Sequence, residues 1–121
     1  MIPFPYLLYL GNPKDELSVK TSRGVAAWRP DLCAGEYRSG GTPISLGLPH
    51  LDFAEAVAKG ARTMIVGVAN AGGTFGGDMV AHIVAALDAG LNVASGLHQR
   101  LTSDPRIVAA AAAAGVQLFD V

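Results

Sequence analysis

A chain of 121 residues is long enough for one domain with a substantial hydrophobic core and too short for two. Half of its residues are apolar and 16% are charged, which excludes an intrinsically disordered chain. The formal net charge of −1, with no arginine stripe, excludes the basic surface of a nucleic-acid-binding protein. We therefore expect a single folded domain, residues 1–121, without a nucleic-acid partner.

The first half of the chain predicts two strands around one helix. The apolar run near residues 5–10 is typical of a buried strand, and residues 15–28 predict a helix with Arg23-Gly24 as a candidate interruption. Arg29-Pro30 ends that helix, because the residue before a proline avoids helical geometry. A second strand is expected near residues 32–37.

A repeated helix–glycine–strand pattern fills the second half. Each predicted helix (54–59, 78–89 and 106–114) ends at a glycine suited to a left-handed cap, and an apolar strand follows. The three glycines are Gly60, Gly90 and Gly115. The strands are expected near residues 63–69, 91–95 and 116–120. The helix start signals are Asp52 with Glu55 as a capping box, Asp78, and Ser103 ahead of Asp104-Pro105.

This alternation predicts an α/β fold, a three-layer domain with a mostly parallel sheet of about five strands. The strands read as near-continuous apolar runs, which is typical of strands buried on both faces. The chain stops on the last strand without a closing helix. We therefore expect the domain to be cut from a longer polypeptide, or to dock on another.

The short apolar runs and the lone cysteine indicate the cellular compartment of the protein. The run at residues 6–10 is too short to span a bilayer and lacks the flanks of a signal peptide. Cys33 cannot form an internal disulfide, which favours a reducing cytoplasm. Together with the three histidines, it has no zinc-ligand spacing. The sequence predicts a cytoplasmic domain with no membrane partner and no metal site.

Residues 63–98 predict where function concentrates. Two strands joined by one helix are parallel, so their carboxyl ends open on the same edge of the sheet, here called the carboxyl edge. Open α/β sheets bind ligands at that edge. The residues brought there by this topology are Asn70, Gly72, Gly73, Ser95, Gly96 and His98.

The glycine-rich loop at residues 72–77 has two interpretations. Its backbone N–H groups are suited to a phosphate or a carboxylate, although the pattern is not that of a Walker loop. Alternatively, its glycines allow another domain or subunit to approach closely.

Ser95 and His98 suggest acyl chemistry, but the spacing is not that of a nucleophile elbow. His98 is either a ligand or interface contact or an ordinary loop residue.

Classification as an NAD-dependent dehydrogenase is poorly supported, because only Gly11 of the three expected glycines occupies the first strand–helix turn. Glu36 and Arg38 stand where a ribose-binding acid or a 2′-phosphate-binding arginine would, yet a solvated strand end is the more common case.

His50 and His82 are expected at the surface. The densest basic stretch is suited either to an anionic ligand or to a solvated helix face. Its members are Lys20, Thr21, Arg23, Arg29 and Arg38.

The whole chain resembles the N-terminal Rossmann-like domain of the D-glutamate N-acetyltransferase family, long known only as a domain of unknown function. The resemblance is most specific over residues 89–98, and weaker matches precede it. These are residues 8–11, Lys20-Thr21 with Gly24, residues 28–30 and Gly72-Gly73.

The resemblance implies a second, C-terminal domain with a P-loop-type fold, absent from this chain, and N-acetylation of D-glutamate or a related amino acid by acetyl-CoA. It identifies no particular catalytic residue here, and because much of the active site would be missing with that second domain, the isolated domain is expected to be inactive. The positions implied as ligand or interdomain contacts are Gly11, Thr21, Arg29, Gly72, Gly73, Ser95, Gly96 and His98. Two other functions stay open: a nucleotide- or CoA-binding module without catalysis, and a structural domain that assembles, for example as a homo-oligomer.

Overall fold

The computed structural model describes residues 2–11, 20–39, 45–66, 77–95 and 100–120. Over these residues the chain forms a sheet of parallel strands with connecting helices. The strands are β1 (Tyr6–Gly11), β2 (Cys33–Arg38), β3 (Thr63–Val66), β4 (Asn92–Ser95) and β5 (Leu118–Asp120). The helices are α1 (Lys20–Trp28), α2 (Phe53–Ala58), α3 (Gly77–Asp88) and α4 (Pro105–Ala114).

The strand order is β2-β1-β3-β4-β5, and every pairing is parallel. From β1 the chain first moves outward to β2, then crosses back to β3 and continues in the opposite direction. Right-handed crossovers therefore place α1 on one face of the sheet and α2, α3 and α4 on the other. This arrangement confirms the predicted α/β domain with a parallel five-stranded sheet between helical layers.

The centre of the sheet is buried on both faces, as the apolar runs predict. Leu7, Leu8 and Leu10 in β1 have no exposed surface, and neither does Met64 in β3. Leu7 lies beside Met64 in the β1–β3 register, and Leu8 lies beside Ile65. In α3, Ile83 and Leu87 are fully buried at helical spacing. The core thus lies mainly between the central strands and the helices that follow them.

The glycine caps and the capping box are confirmed. Gly60, Gly90 and Gly115 all have positive φ, at 91°, 103° and 69°. Asp52 accepts the N–H of Glu55 at 2.7 Å, and the Glu55 carboxylate accepts the N–H of Asp52 at 3.1 Å. Local signals of this kind are reliable because one short segment contains both partners of each contact.

The predicted start of the last helix is wrong by one residue. Asp104, and not Ser103, is the N-cap of α4, and its carboxylate accepts the N–H of Arg106 at 2.9 Å. Pro105 explains the difference, since proline is favoured at the first helical position and the residue before it becomes the cap. Ser103 instead ends the 3-10 turn Leu101–Ser103, and its hydroxyl donates to the carbonyl of Arg100 at 2.6 Å.

The other differences concern element ends. Helix α1 runs without a break through Arg23-Gly24, and residues 15–19 of the predicted helix lie outside the described residues. Strand β3 ends at Val66 in the described part, and residues 67–69 of its predicted range also lie outside it. Strand β5 begins at Leu118 instead of residue 116. Within the described ranges, no helix is long and apolar enough to cross a membrane.

We expect Asp52→Ala to lower the free energy of unfolding by about 1 kcal/mol, because the first turn of α2 loses both contacts of its capping box. Urea unfolding followed by circular dichroism measures the change. Asp88→Ala, at the exposed end of α3, is the control and should change stability by less than about 0.5 kcal/mol. Equal effects of the two substitutions would contradict the capping role.

Candidate functional site

The carboxyl edge contains the ends of all five strands in the described part of the chain. The switch point, where the strand order reverses direction, lies between β1 and β3, because β1 connects to β2 on one side while β3 continues on the other. Ligands of doubly wound sheets bind at such a point. Gly11 and Arg38, which end β1 and β2, lie side by side in the register at this edge, where β3 and β4 end at Val66 and Ser95 in the described part.

Gly11 is required by the backbone and by its neighbour. Its φ of 62° lies in the left-handed region, and an added Cβ would stand 3.0 Å from the hydroxyl oxygen of Tyr9. Its carbonyl accepts the N–H of Ser39 at 2.7 Å, which ties the ends of β1 and β2 together. Glycine at this turn is thus explained by packing.

An aromatic and imidazole cluster lies next to this turn. The Tyr9 hydroxyl is 2.6 Å from Nδ1 of His82 on α3, a hydrogen bond that joins the sheet to the helix, and Tyr9 is only 2% exposed. Tyr37 in β2 stacks on Phe53 with ring centroids 4.5 Å apart and meets His82 edge-on at 5.2 Å. His50 also contacts the Tyr37 ring, at 5.6 Å. Aromatic pairs at these distances are favourable contacts.

The predicted surface position of His82 is therefore wrong, because the helix turns this side chain toward the sheet, where Tyr9 holds it. His50 is exposed as predicted, yet its ring is engaged: Nδ1 accepts the backbone N–H of Arg38 at 3.2 Å. Nδ1 is therefore unprotonated, and in the neutral ring the hydrogen is on Nε2.

Glu36 is the most unusual side chain of the edge, because it is a carboxylate with no exposed surface. Its Oε1 accepts the N–H groups of Leu46 and Leu48 at 2.9 and 3.1 Å. Its backbone also pairs with the same segment, which lies along the outer side of β2: its N–H donates to Pro49, and its carbonyl accepts from Leu51. The expected solvated strand end is wrong for Glu36, because the segment at residues 45–51 covers it.

Arg38 balances the buried carboxylate. Its Nε lies 2.9 Å from Oε2 of Glu36, and the Arg38 side chain is 33% exposed. The N–H bond is not directed at the oxygen, so neither atom has an aligned hydrogen bond among the described residues. The pair is therefore an electrostatic contact.

The far side of the edge, at β4 and β5, is occupied by protein groups. Asp120 accepts the N–H of Leu101 at 2.6 Å and both the N–H and the hydroxyl of Thr102, at 3.3 and 3.0 Å. Ser95 is beside Asp120 in the register and is 2% exposed. Its hydroxyl is inside the domain, which does not favour a role as an attacking nucleophile.

One predicted contact, Arg29, lies away from the end of β1. Arg29 precedes the 3-10 turn Pro30–Leu32 that leads into β2, so it lies at the amino edge, opposite Gly11 and Ser95. There it donates two hydrogen bonds to Asp31, at 3.2 and 3.3 Å, and this bonding lowers the pKa of the Asp31 carboxyl.

Burial raises the pKa of the Cys33 thiol, which disfavours a reactive thiolate. Thr21 belongs to the first turn of α1.

The other predicted site residues lie outside the described residues. They are Asn70, Gly72, Gly73, Gly96 and His98. Conversely, Tyr9 belongs to the aromatic and imidazole cluster although no sequence motif indicated a role for it. A tyrosine flanked by leucines inside β1 was the available signal, because a buried phenol usually requires a hydrogen-bond partner.

Comparison with known proteins identifies the family. A family model described as "Domain of unknown function (DUF1611_N) Rossmann-like domain" matches residues 33–121. The chain belongs to this family. A solved structure of a DUF1611 family protein from Anabaena variabilis superimposes with a TM-score of 0.75 at 19% identity, over 98% of this chain and 37% of that one. This likeness supports the same fold.

Two curated relatives resemble the chain more closely in sequence. A D-glutamate N-acetyltransferase from Tritonibacter scottomollicae is 42% identical over 121 residues, which is all of this chain and 36% of that protein. A D-glutamate N-acetyltransferase from a Pseudoalteromonas species is 37% identical over 117 residues, 97% of this chain and 35% of that protein. The chain thus spans about a third of the length of these relatives.

Proposed function

We propose that this chain is the Rossmann-like domain of an N-acetyltransferase that transfers an acetyl group from acetyl-CoA to D-glutamate or a similar amino acid. The observation that carries this proposal is the 42% identity, over the full chain, to a protein with that activity in its name. The domain would contribute ligand or interdomain contacts from its carboxyl edge. A further domain, of P-loop type, would complete the active site.

The chemistry of acetyl transfer bears on which part of the reaction this domain would serve. In acetyl transfer the amine nitrogen attacks the thioester carbonyl carbon, a C–N bond forms, the C–S bond breaks, CoA leaves as the thiol, and the ammonium group loses a proton to the medium. The described edge has a partly exposed cation, Arg38, while Ser95 is buried and Cys33 is not activated. These features favour binding of anionic groups over covalent catalysis.

We expect the full-length protein to convert acetyl-CoA and D-glutamate to N-acetyl-D-glutamate, and the 121-residue chain alone to form none. Mass spectrometry of the product measures both, with L-glutamate and a reaction without acetyl-CoA as controls. Circular dichroism of the isolated chain must show a cooperative unfolding transition, so that inactivity is not due to misfolding. Turnover by the isolated chain would refute the division of labour, and an inactive full-length protein would refute the proposed activity.

A CoA- or nucleotide-binding module without catalysis is the second candidate, favoured by the switch point between β1 and β3. It requires affinity in the isolated chain, which calorimetric titration with CoA, NADP and ATP tests directly. The structural alternative, an assembly domain that forms homo-oligomers, predicts no ligand binding. It also predicts loss of the oligomer when Gly73 or His98 is replaced by a bulky residue. A cytoplasmic location remains part of the proposal, based on the lone cysteine.

A further inference from the structure

Arg38 is placed and held as an anion-binding residue would be. It is the last residue of β2, at the carboxyl edge, beside the Gly11 turn that ends β1. Its Nε lies 2.9 Å from Oε2 of the buried Glu36, while a third of the Arg38 side chain is exposed. Among the described residues, no hydrogen bond or ion pair involves its two terminal nitrogens.

Glu36 holds the charge of this guanidinium at the carboxyl edge. Because Oε1 of Glu36 already binds Leu46 and Leu48, the carboxylate cannot move toward the ligand side. Its Oε2 attracts the guanidinium of Arg38 at Nε, 2.9 Å away, and this contact does not use the two terminal nitrogens. A planar pair of N–H donors fits two oxygens of a phosphate or a carboxylate at once.

The position of Arg38 in the sheet indicates which of these two anions it binds. In Rossmann dinucleotide-binding domains, an acidic residue at the end of the second strand binds the unmodified ribose, and an arginine nearby binds its 2′-phosphate. Here the acid, Glu36, is fully buried and committed to the loop at residues 46–48, so it cannot reach a ribose hydroxyl. The exposed donor is the arginine. This combination disfavours an unphosphorylated ribose and favours a phosphorylated one.

We propose that Arg38 binds a phosphate monoester on the ribose of a nucleotide-type ligand. Two sources carry this group, the 3′-phosphate of CoA and the 2′-phosphate of NADP, and CoA is the first choice because the inference rests on the proposed use of acetyl-CoA. Arg38 is then a specificity-determining residue. It recognises the adenosine end of the acetyl donor, remote from the acetyl group.

The test compares ligands that differ by this one phosphate. Calorimetric titration of the full-length protein with CoA and dephospho-CoA, and with NADP and NAD, is repeated for Arg38→Gln and Arg38→Lys. We expect the wild-type protein to bind CoA about tenfold or more tightly than dephospho-CoA, the range of a hydrogen-bonded charge pair. Arg38→Gln should abolish this preference without weakening the binding of dephospho-CoA. Arg38→Lys should keep part of it, because charge remains while the paired geometry is lost.

Two further variants keep the test decisive. Arg38→Gln leaves the Glu36 carboxylate without its cation, so the double variant Glu36→Gln/Arg38→Gln is titrated as well and must lose the same preference. Arg62→Gln is the matched control, since Arg62 is an exposed arginine before β3, at the amino edge, and should retain the full preference.

Three results would overturn the proposal: equal affinities of the wild-type protein within both ligand pairs, an intact preference in the Arg38 variants, or no binding of any of the four ligands. The acetyl-transfer assay on the same preparations distinguishes a failure of the Arg38 proposal from a failure of the proposed function. An active wild-type protein that ignores the phosphate refutes only the role of Arg38. An inactive protein that prefers NADP to NAD refutes the acetyltransferase and supports Arg38.

Discussion

Replacing Gly35 with alanine should lower the free energy of unfolding by about 1–3 kcal/mol, the usual cost of forcing an extra group into a packed site. A Cβ at this position would stand 2.6 Å from the carbonyl oxygen of Pro49 and 2.7 Å from Cδ1 of Leu51. The first of these atoms belongs to the backbone, so a rotamer change cannot relieve the clash. The segment at residues 45–51 must move away from β2, and its hydrogen bonds to Glu36 must lengthen or break.

Denaturant unfolding of the wild-type protein and Gly35→Ala measures this cost. Gly24→Ala is the matched control, because Gly24 lies within α1 and an added Cβ would meet nothing within 4 Å. That substitution should stabilise the protein by about 0.5–1 kcal/mol, since alanine has the higher helix propensity. If Gly35→Ala proved as stable as Gly24→Ala, the close approach of the segment to β2 would be refuted.

The features that could be predicted from the sequence depend on neighbouring residues. The capping box of Asp52 and Glu55 joins positions three apart, and the glycine caps are single-residue signals. The apolar runs identified strands buried on both faces, and the alternation of helices with strands fixed a parallel sheet. Each of these patterns reports a local requirement, so no knowledge of the chain's distant parts was needed.

The candidate site was less predictable, because its main contacts join distant positions. Glu36 reads as a polar strand end until Leu46 and Leu48, ten and twelve residues later, return to bind it. His82 is 73 residues from Tyr9, and the helical pattern alone placed it on the polar face. A buried polar group is revealed by its partner, and sequence patterns identify burial only for apolar residues.

The sequence also could not show between which strands the order of the sheet reverses direction. It showed that β3 and β4 are parallel, and their pairing confirms this, but the position of β1 beside β3 depends on the direction of the crossover from β2. The consequence for function is direct. Gly11 and Arg38 share the carboxyl edge with Val66 and Ser95, the last described residues of β3 and β4, whereas Arg29, in the same basic stretch of sequence, lies at the amino edge.

Glu36→Leu is expected to have the largest effect of any single substitution considered. It leaves the N–H groups of Leu46 and Leu48 without their acceptor, and it leaves Arg38 without the carboxylate that neutralises it. The two N–H groups left without an acceptor cost about 1–2 kcal/mol each, and loss of the contact with the partly exposed Arg38 costs about 1 kcal/mol more. Thermal and urea unfolding should show a loss of this size, and a loss below about 1 kcal/mol would contradict the central role of Glu36 in holding the segment.

Glu36→Gln divides this loss into its two physical parts. The amide oxygen can still accept from Leu46 and Leu48, so the difference between Glu36→Leu and Glu36→Gln measures mainly the two hydrogen bonds, at about 1 kcal/mol each. A double-mutant cycle with Arg38→Gln then measures the charge contact. Because Arg38 is a third exposed and its contact to Glu36 lacks an aligned hydrogen bond, we expect the coupling to be the smaller part, about 1 kcal/mol. A coupling above the hydrogen-bond loss would show that Glu36 is retained for its charge. The measured ratio thus decides whether Glu36 primarily secures the loop beside β2 or primarily positions the arginine.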